Sequence, residues 1–266
     1  SVFTVANHAA TATTGIGMTL STFSGKSSAT VTDSSASGAT KGMFAHTFGT
    51  ESGVHVARSV INAGTAGMNQ AFLAQTITGG SAITLEQVTG ISANSVGISA
   101  ATVTDSAVTI TDSSFNGATK GSHMTTITNS VVSLTNVVLE GTASYGGLID
   151  TVSGSTVTWT NVEASGTTGG YFQTFSGGSV AALSGCVTTG AGYGMWADTF
   201  SAASAITASA HSATATAGAA VRVSDFAGGS TANFAQLTAV GTTQGFYMLT
   251  VDATAVSVSA SQLVGG

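Results

Sequence analysis

A threonine, replaced once by aspartate, followed by a large apolar residue recurs ten times along this 266-residue chain, about once every 25 residues. The register reads Thr22-Phe23, Thr47-Phe48, Thr76-Ile77, Thr102-Val103, Thr126-Ile127, Thr151-Val152, Thr174-Phe175, Thr199-Phe200, Asp225-Phe226 and Thr250-Val251. Five residues earlier stands a glycine in eight of the ten copies: Gly17, Gly42, Gly97, Gly121, Gly146, Gly169, Gly194 and Gly245. A hydroxyl column follows the threonine: Ser27, Ser52, Ser81, Ser106, Ser130, Ser155, Ser179, Ser204, Ser230 and Thr254. Self-similarity at a fixed period of this length is the signature of stacked repeats, in which each unit buries its apolar face only against its neighbours. The chain must therefore be read by column. One elongated domain spanning 1–266 is expected.

Segments that alternate Val, Thr, Ile and Phe and are bounded by Gly or Ser read as strands. One runs from the glycine column to the threonine, as in Gly170-Tyr171-Phe172-Gln173-Thr174-Phe175. A second follows the serine column, as in Ser155-Thr156-Val157-Thr158-Trp159-Thr160-Asn161. A third, shorter segment passes through Val162 to another glycine column: Gly38, Gly117, Gly141, Gly166, Gly190, Gly241 and Gly265. Three short strands per repeat predict a three-faced parallel β-helix of 10 or 11 coils of about 24–25 residues, right-handed by the general preference of parallel crossovers. Proline is absent, as expected where backbone N–H groups donate to neighbouring coils throughout. Between Phe48 and Ile77 the spacing stretches to 29 residues, which places about four extra residues near Met68–Gln75.

Composition narrows the function. Charged residues make up 6% of the chain, and 11 acids against 5 bases give a net charge of −6. Nucleic acid is an unsuitable partner, because neutralising phosphates needs clustered Lys and Arg. No apolar run is long enough for a transmembrane helix. Ser1 starts inside the repeat and Val264-Gly265-Gly266 reads as an interrupted one, so a processed or longer chain, or an end-to-end neighbour, is expected. The lone Cys186 falls in an apolar column with Val137, Val162 and Leu237, which suits a buried thiol. There is no Asn-x-Ser/Thr sequon.

Two outward surfaces emerge. If Val132, Val157 and Ile206 and the residues two further on point inward, the alternating residues point out: Thr30/Thr32, Thr109/Thr111, Ser133/Thr135, Thr158/Thr160, Thr207/Ser209 and Ser257/Ser259. This Thr-x-Thr array resembles the ice-binding faces of β-solenoid antifreeze proteins, with departures at His55/Ala57, Thr84/Glu86, Ala182/Ser184 and Asn233/Ala235. The resemblance implies ice as a binding partner of that face.

On the first strand, inward positions are expected at Met18, Met43, Phe72, Ile98, Met195, Val221 and Phe246, and two residues later at Leu20, Met124, Ile149, Phe172, Val223 and Met248. Between them runs an outward stripe of Phe44, Leu73, His123, Leu148, Tyr171, Trp196, Arg222 and Tyr247. Beside it lie His46, Gln75, Thr125, Asp150, Gln173, Asp198 and Ser224. Exposed apolar stripes mark interaction sites. Aromatic residues interleaved with Gln and Asp suit packing against another subunit, where Tyr, Trp and Arg are the usual anchors, or the stacking of sugar rings.

The architecture resembles the pectate-lyase and polygalacturonase superfamily, whose polyuronate-acting members use clustered acids, often with Arg or Lys. Here Asp150 and Asp198 share a column two coils apart, about 9–10 Å, near the upper limit for paired glycosidase carboxylates. The bases Lys26, Lys41, Arg58, Lys120 and Arg222 are scattered singly. His8, His46, His55, His123 and His211 occupy different columns or distant coils, so no metal and no cofactor is expected. The expectation is a non-catalytic solenoid outside the cell or on its surface: a structural rod, filament subunit or adhesion module that self-associates. Ice binding and polysaccharide binding or degradation are the alternatives.

Overall fold

The computed structural model describes residues 1–65, 67, 69–252 and 255–266. Met68 and Thr254 lie outside the described residues. The chain is all-β and winds as a parallel β-solenoid of stacked coils. Eleven five-residue strands, from Val2–Ala6 to Ala255–Ser259, form one parallel sheet. The four-residue strands and the long strands of mostly eight or nine residues join in a second sheet of 19 strands. All ten threonine-column positions, Asp225 included, stand opposite one another in register.

Binary alternation builds the walls. In the strand Thr156–Thr160, Val157 and Trp159 are buried while Thr158 and Thr160 face out, and the pattern repeats up the sheet. Burial of these columns supplies the main drive, about 25 cal/mol per Å² of apolar surface. The apolar partner of each threonine fills the core beside it. Phe175, Phe200 and Phe226 are fully buried and stack with centroids 4.7 and 4.6 Å apart. On the opposite wall Trp159 occupies a hole left by Gly147, whose Cβ would lie 2.5 Å from the indole Cη2. Met248, expected inward, is 46% exposed because no following coil stacks on it.

The corners explain the small and polar columns. At Gly121 and Gly146 a Cβ would come within 2.5 Å of the backbone nitrogens of Glu140 and Ser165, so the bend admits only glycine there. The serine column turns inward and is a ladder. The N–H of Ser130 donates to Ser155 Oγ at 2.9 Å, and the N–H of Ser155 donates to Ser179 Oγ at 3.2 Å. The hydroxyls of Ser130, Ser155 and Ser179 in turn donate to carbonyls two or three residues back, as Ser155 does to Ser153 O at 2.8 Å. These hydroxyls satisfy corner amides that would otherwise be buried without partners.

Two expectations are corrected. The threonine column does not end its strand: the strand Tyr145–Ser153 runs two residues past Thr151, and the break in alternation lies one residue earlier. The extra residues do not extend to Gln75. The strand Gln70–Thr78 is continuous: pairing ends at Ala63 opposite Gly38 and resumes at Gln70 opposite Lys41, so the added residues precede Gln70. Asn69 is fully buried there and donates to the carbonyls of Ala39, at 3.2 Å, and Gly64.

Candidate functional site

The outward stripe stands on the long strands, and its geometry follows from a kink. Inter-coil pairing runs through Leu148–Ile149 and resumes at Thr151, skipping Asp150. The same column is skipped at Gln173 and Asp198. A residue at the kink is released from the ladder and its side chain leans along the rod. Donors in the stripe, two columns back on the preceding coil, therefore reach it diagonally. His123 Nε2 lies 2.9 Å from Asp150 Oδ2. Tyr171 Oη donates to Asp198 Oδ2 at 2.9 Å. Trp196 Nε1 donates to Ser224 Oγ at 2.8 Å. One geometric relation is thus used three times, by His123, Tyr171 and Trp196.

The aromatic members pack along the axis on one another. Tyr171 lies between Tyr145 of the preceding coil, with centroids 5.2 Å apart, and Trp196 of the following coil, 4.6 Å away and tilted only 23°. The guanidinium of Arg222 sits 4.3 Å from the Trp196 ring centroid, donates from Nη1 to Tyr193 Oη at 2.9 Å and from Nε to Ser224 Oγ at 3.1 Å. Tyr247 stands 6.0 Å from the same guanidinium. Burial, and then the hydrogen bond to Asp198, hold the Tyr171 phenol well above its ordinary pKa.

The expectation of an exposed stripe is therefore corrected. Leu148 is 5% exposed and Tyr171 7%, because inter-coil stacking covers them. Phe44, Trp196, Arg222 and Tyr247 are half-buried, as are Asp150, Gln173 and Asp198. The stripe is also broken by Ser99 between Leu73 and His123. Phe44 belongs to a separate patch, with Lys41 Nζ 5.5 Å above its ring and His46 edge-on at 5.4 Å. The ring faces that a sugar would stack on are occupied at Tyr171 and Trp196, and Asp150 and Asp198 are each engaged by a different donor.

The hydroxyl array lies on the eleven-stranded sheet. Thr30, Thr109, Ser133, Thr158 and Thr207 share one column in register, and Thr32, Thr111, Thr135, Thr160 and Ser209 share the next but one along the strand. All are half-buried except Thr207 and Ser209, which are exposed. A third outward column, at the first position of each strand, is small or apolar and includes Ala82, Ala107, Val131 and Val180.

Sequence reasoning passed over three features. Tyr145 and Tyr193 complete the aromatic stack, and their signal is the register with Lys41 and Lys120 three positions before the stripe. The corner after each five-residue strand holds a left-handed residue, among them Asp112, Asn136 and Asn161 with φ of 48°, 54° and 52°. Asn136 donates to Asp112 at 2.8 Å and Asn161 to Asn136 at 3.1 Å, a polar spine that the recurring Asn/Asp after the strand signals. His211 shares the column of Cys186 and is buried with it, Nε2 3.1 Å from Thr188 Oγ1. Among the described residues no group of three or more His, Cys, Asp or Glu is placed to hold a metal ion. Comparison with protein-family models, with curated proteins and with solved structures finds no match.

Proposed function

We propose that this β-solenoid is a non-catalytic structural rod that acts outside the cell or on its surface by packing with other subunits. The observation that carries the reading is the use of chemically capable side chains between coils: His123 with Asp150, Tyr171 with Asp198, Trp196 with Ser224 and Arg222 with Tyr193. Groups spent on inter-coil bonds stiffen a rod. A chain with only 6% charged residues also opposes side-by-side contact only weakly. Sedimentation and electron microscopy over a rising concentration series test this. Laterally associated rods are expected, and a monomer at every concentration would sink it.

A second reading has its own observation. Thr109/Thr111, Ser133/Thr135 and Thr158/Thr160 place hydroxyl pairs in register on three successive strands, a regular array of the kind that orders water on ice. Thermal hysteresis that disappears when Thr158 and Thr160 are replaced by Lys would favour it.

A further inference from the structure

If the protein is a rod that packs with other subunits, the eleven-stranded sheet identifies the partner as a second copy of this chain. We infer, on that rod reading, that the sheet is a self-complementary interface: two copies meet face to face with their coils running in opposite directions, about a two-fold axis lying along the strand Val131–Thr135.

Size comes first. Eleven strands of five residues present about 50 Å by 17 Å, roughly 800 Å², the area each partner contributes to a standard stable complex. Aligned sheets pack in this manner when their facing side chains interdigitate.

Side-chain identity then fixes the arrangement. An axis along that strand keeps strand direction and reverses coil order. Each position meets the same column, equally many coils away on the other side. Val131, 52% exposed and the most exposed large apolar residue away from the two end coils, meets its own copy on the axis. The bulky or charged departures from the hydroxyl array fall opposite small hydroxyls. Glu86, two coils before the axis, faces Ser184, two coils after it. His55, three coils before, faces Thr207, three coils after. Each long side chain thus gains room and a hydrogen-bonding partner, and in the first column Ala82 faces Val180 while Ala107 faces Thr156. The other two-fold, parallel to the rod, would set the third-position column on itself and press His55 against His55. Two imidazole rings would then compete for the same space, with no small residue opposite to receive either.

Two measurements on the full chain test the interface. Ser133 lies beside the axis, so Ser133→Lys faces a second lysine, and sedimentation equilibrium is expected to show a dimer constant weakened by at least about tenfold. Val131→Cys is expected to cross-link to itself through a short bismaleimide. Ser28→Cys, set about 40 Å from its own copy by eight coil rises, is not, whereas Ser28→Cys with Thr231→Cys is. Association that survives Ser133→Lys, or self-linking of Ser28→Cys, overturns this interface and leaves the rod reading standing. A wild-type chain that stays monomeric overturns both, and a monomer that shapes ice transfers the face to the ice-binding reading.

Discussion

Tyr171 donates its phenolic hydrogen to Asp198 one coil above, at 2.9 Å, while its ring stacks on Trp196 directly above it. Ring and hydroxyl thus bind the same neighbouring coil through different forces. Tyr171→Phe keeps the stack and removes the bond, so a loss of about 1.5–3 kcal/mol is expected from urea unfolding, the usual range for a bond to a charged acceptor. Asp198→Asn, which retains an acceptor oxygen, should lose less.

The same tyrosine gives the rod an alkaline limit. Its phenol is held protonated above the ordinary range, chiefly by burial, whereas the unfolded chain releases that proton near pH 10. Stability from this group is complete below pH 10 and declines above it. Unfolding midpoints from pH 8 to 11 should therefore fall, and Tyr171→Phe should flatten the decline.

His211 sets an acid limit. Burial pushes its pKa down to about 4, and Nδ1 has no hydrogen-bond partner. Below about pH 6.5 the unfolded chain takes up a proton that the native imidazole refuses until about pH 4. Stability from this group, full above pH 6.5, should drop by about 3 kcal/mol as pH falls through that window. His211→Leu, matching Leu237 one coil above, should remove this dependence in guanidinium titrations at pH 7 and 4.5.

The serine ladder carries stability that no surface hydroxyl does. Ser155→Ala removes both the acceptor for the Ser130 N–H and the donor to Ser153 O, leaving a buried amide unpaired. A cost of about 1–3 kcal/mol is expected. Thr160→Ala, on the outer face, should stay within about 0.5 kcal/mol. Equal losses in the two variants would refute a structural role for the column.

Gly147 and Trp159 form a knob and hole. Gly147→Ala brings a methyl to 2.5 Å from the indole, and overpacking of this kind costs about 1–3 kcal/mol. Combining it with Trp159→Leu, the residue that Leu134 supplies one coil below, should relieve the clash. The double-mutant cycle should show coupling beyond about 0.5 kcal/mol.

Much of the fold was legible in the chain. A fixed period and alternating burial determine strands, coil number and register, because in a stack each residue's neighbours are its own column mates. The threonine, serine and glycine columns and the Thr-x-Thr face all follow from that one-dimensional order. Tertiary structure alone decided which columns touch off-register. The diagonal from Tyr171 to Asp198 exists because the backbone skips pairing at the kink. The stripe expected outside is covered because rings 4.6 Å apart along the axis shield one another. The extra residues were placed too late in the chain because an insertion's position is fixed by where pairing resumes, at Gln70 against Lys41. Periodicity specifies what lies in line, whereas reach across the line depends on bends and side-chain lengths that only the folded backbone sets.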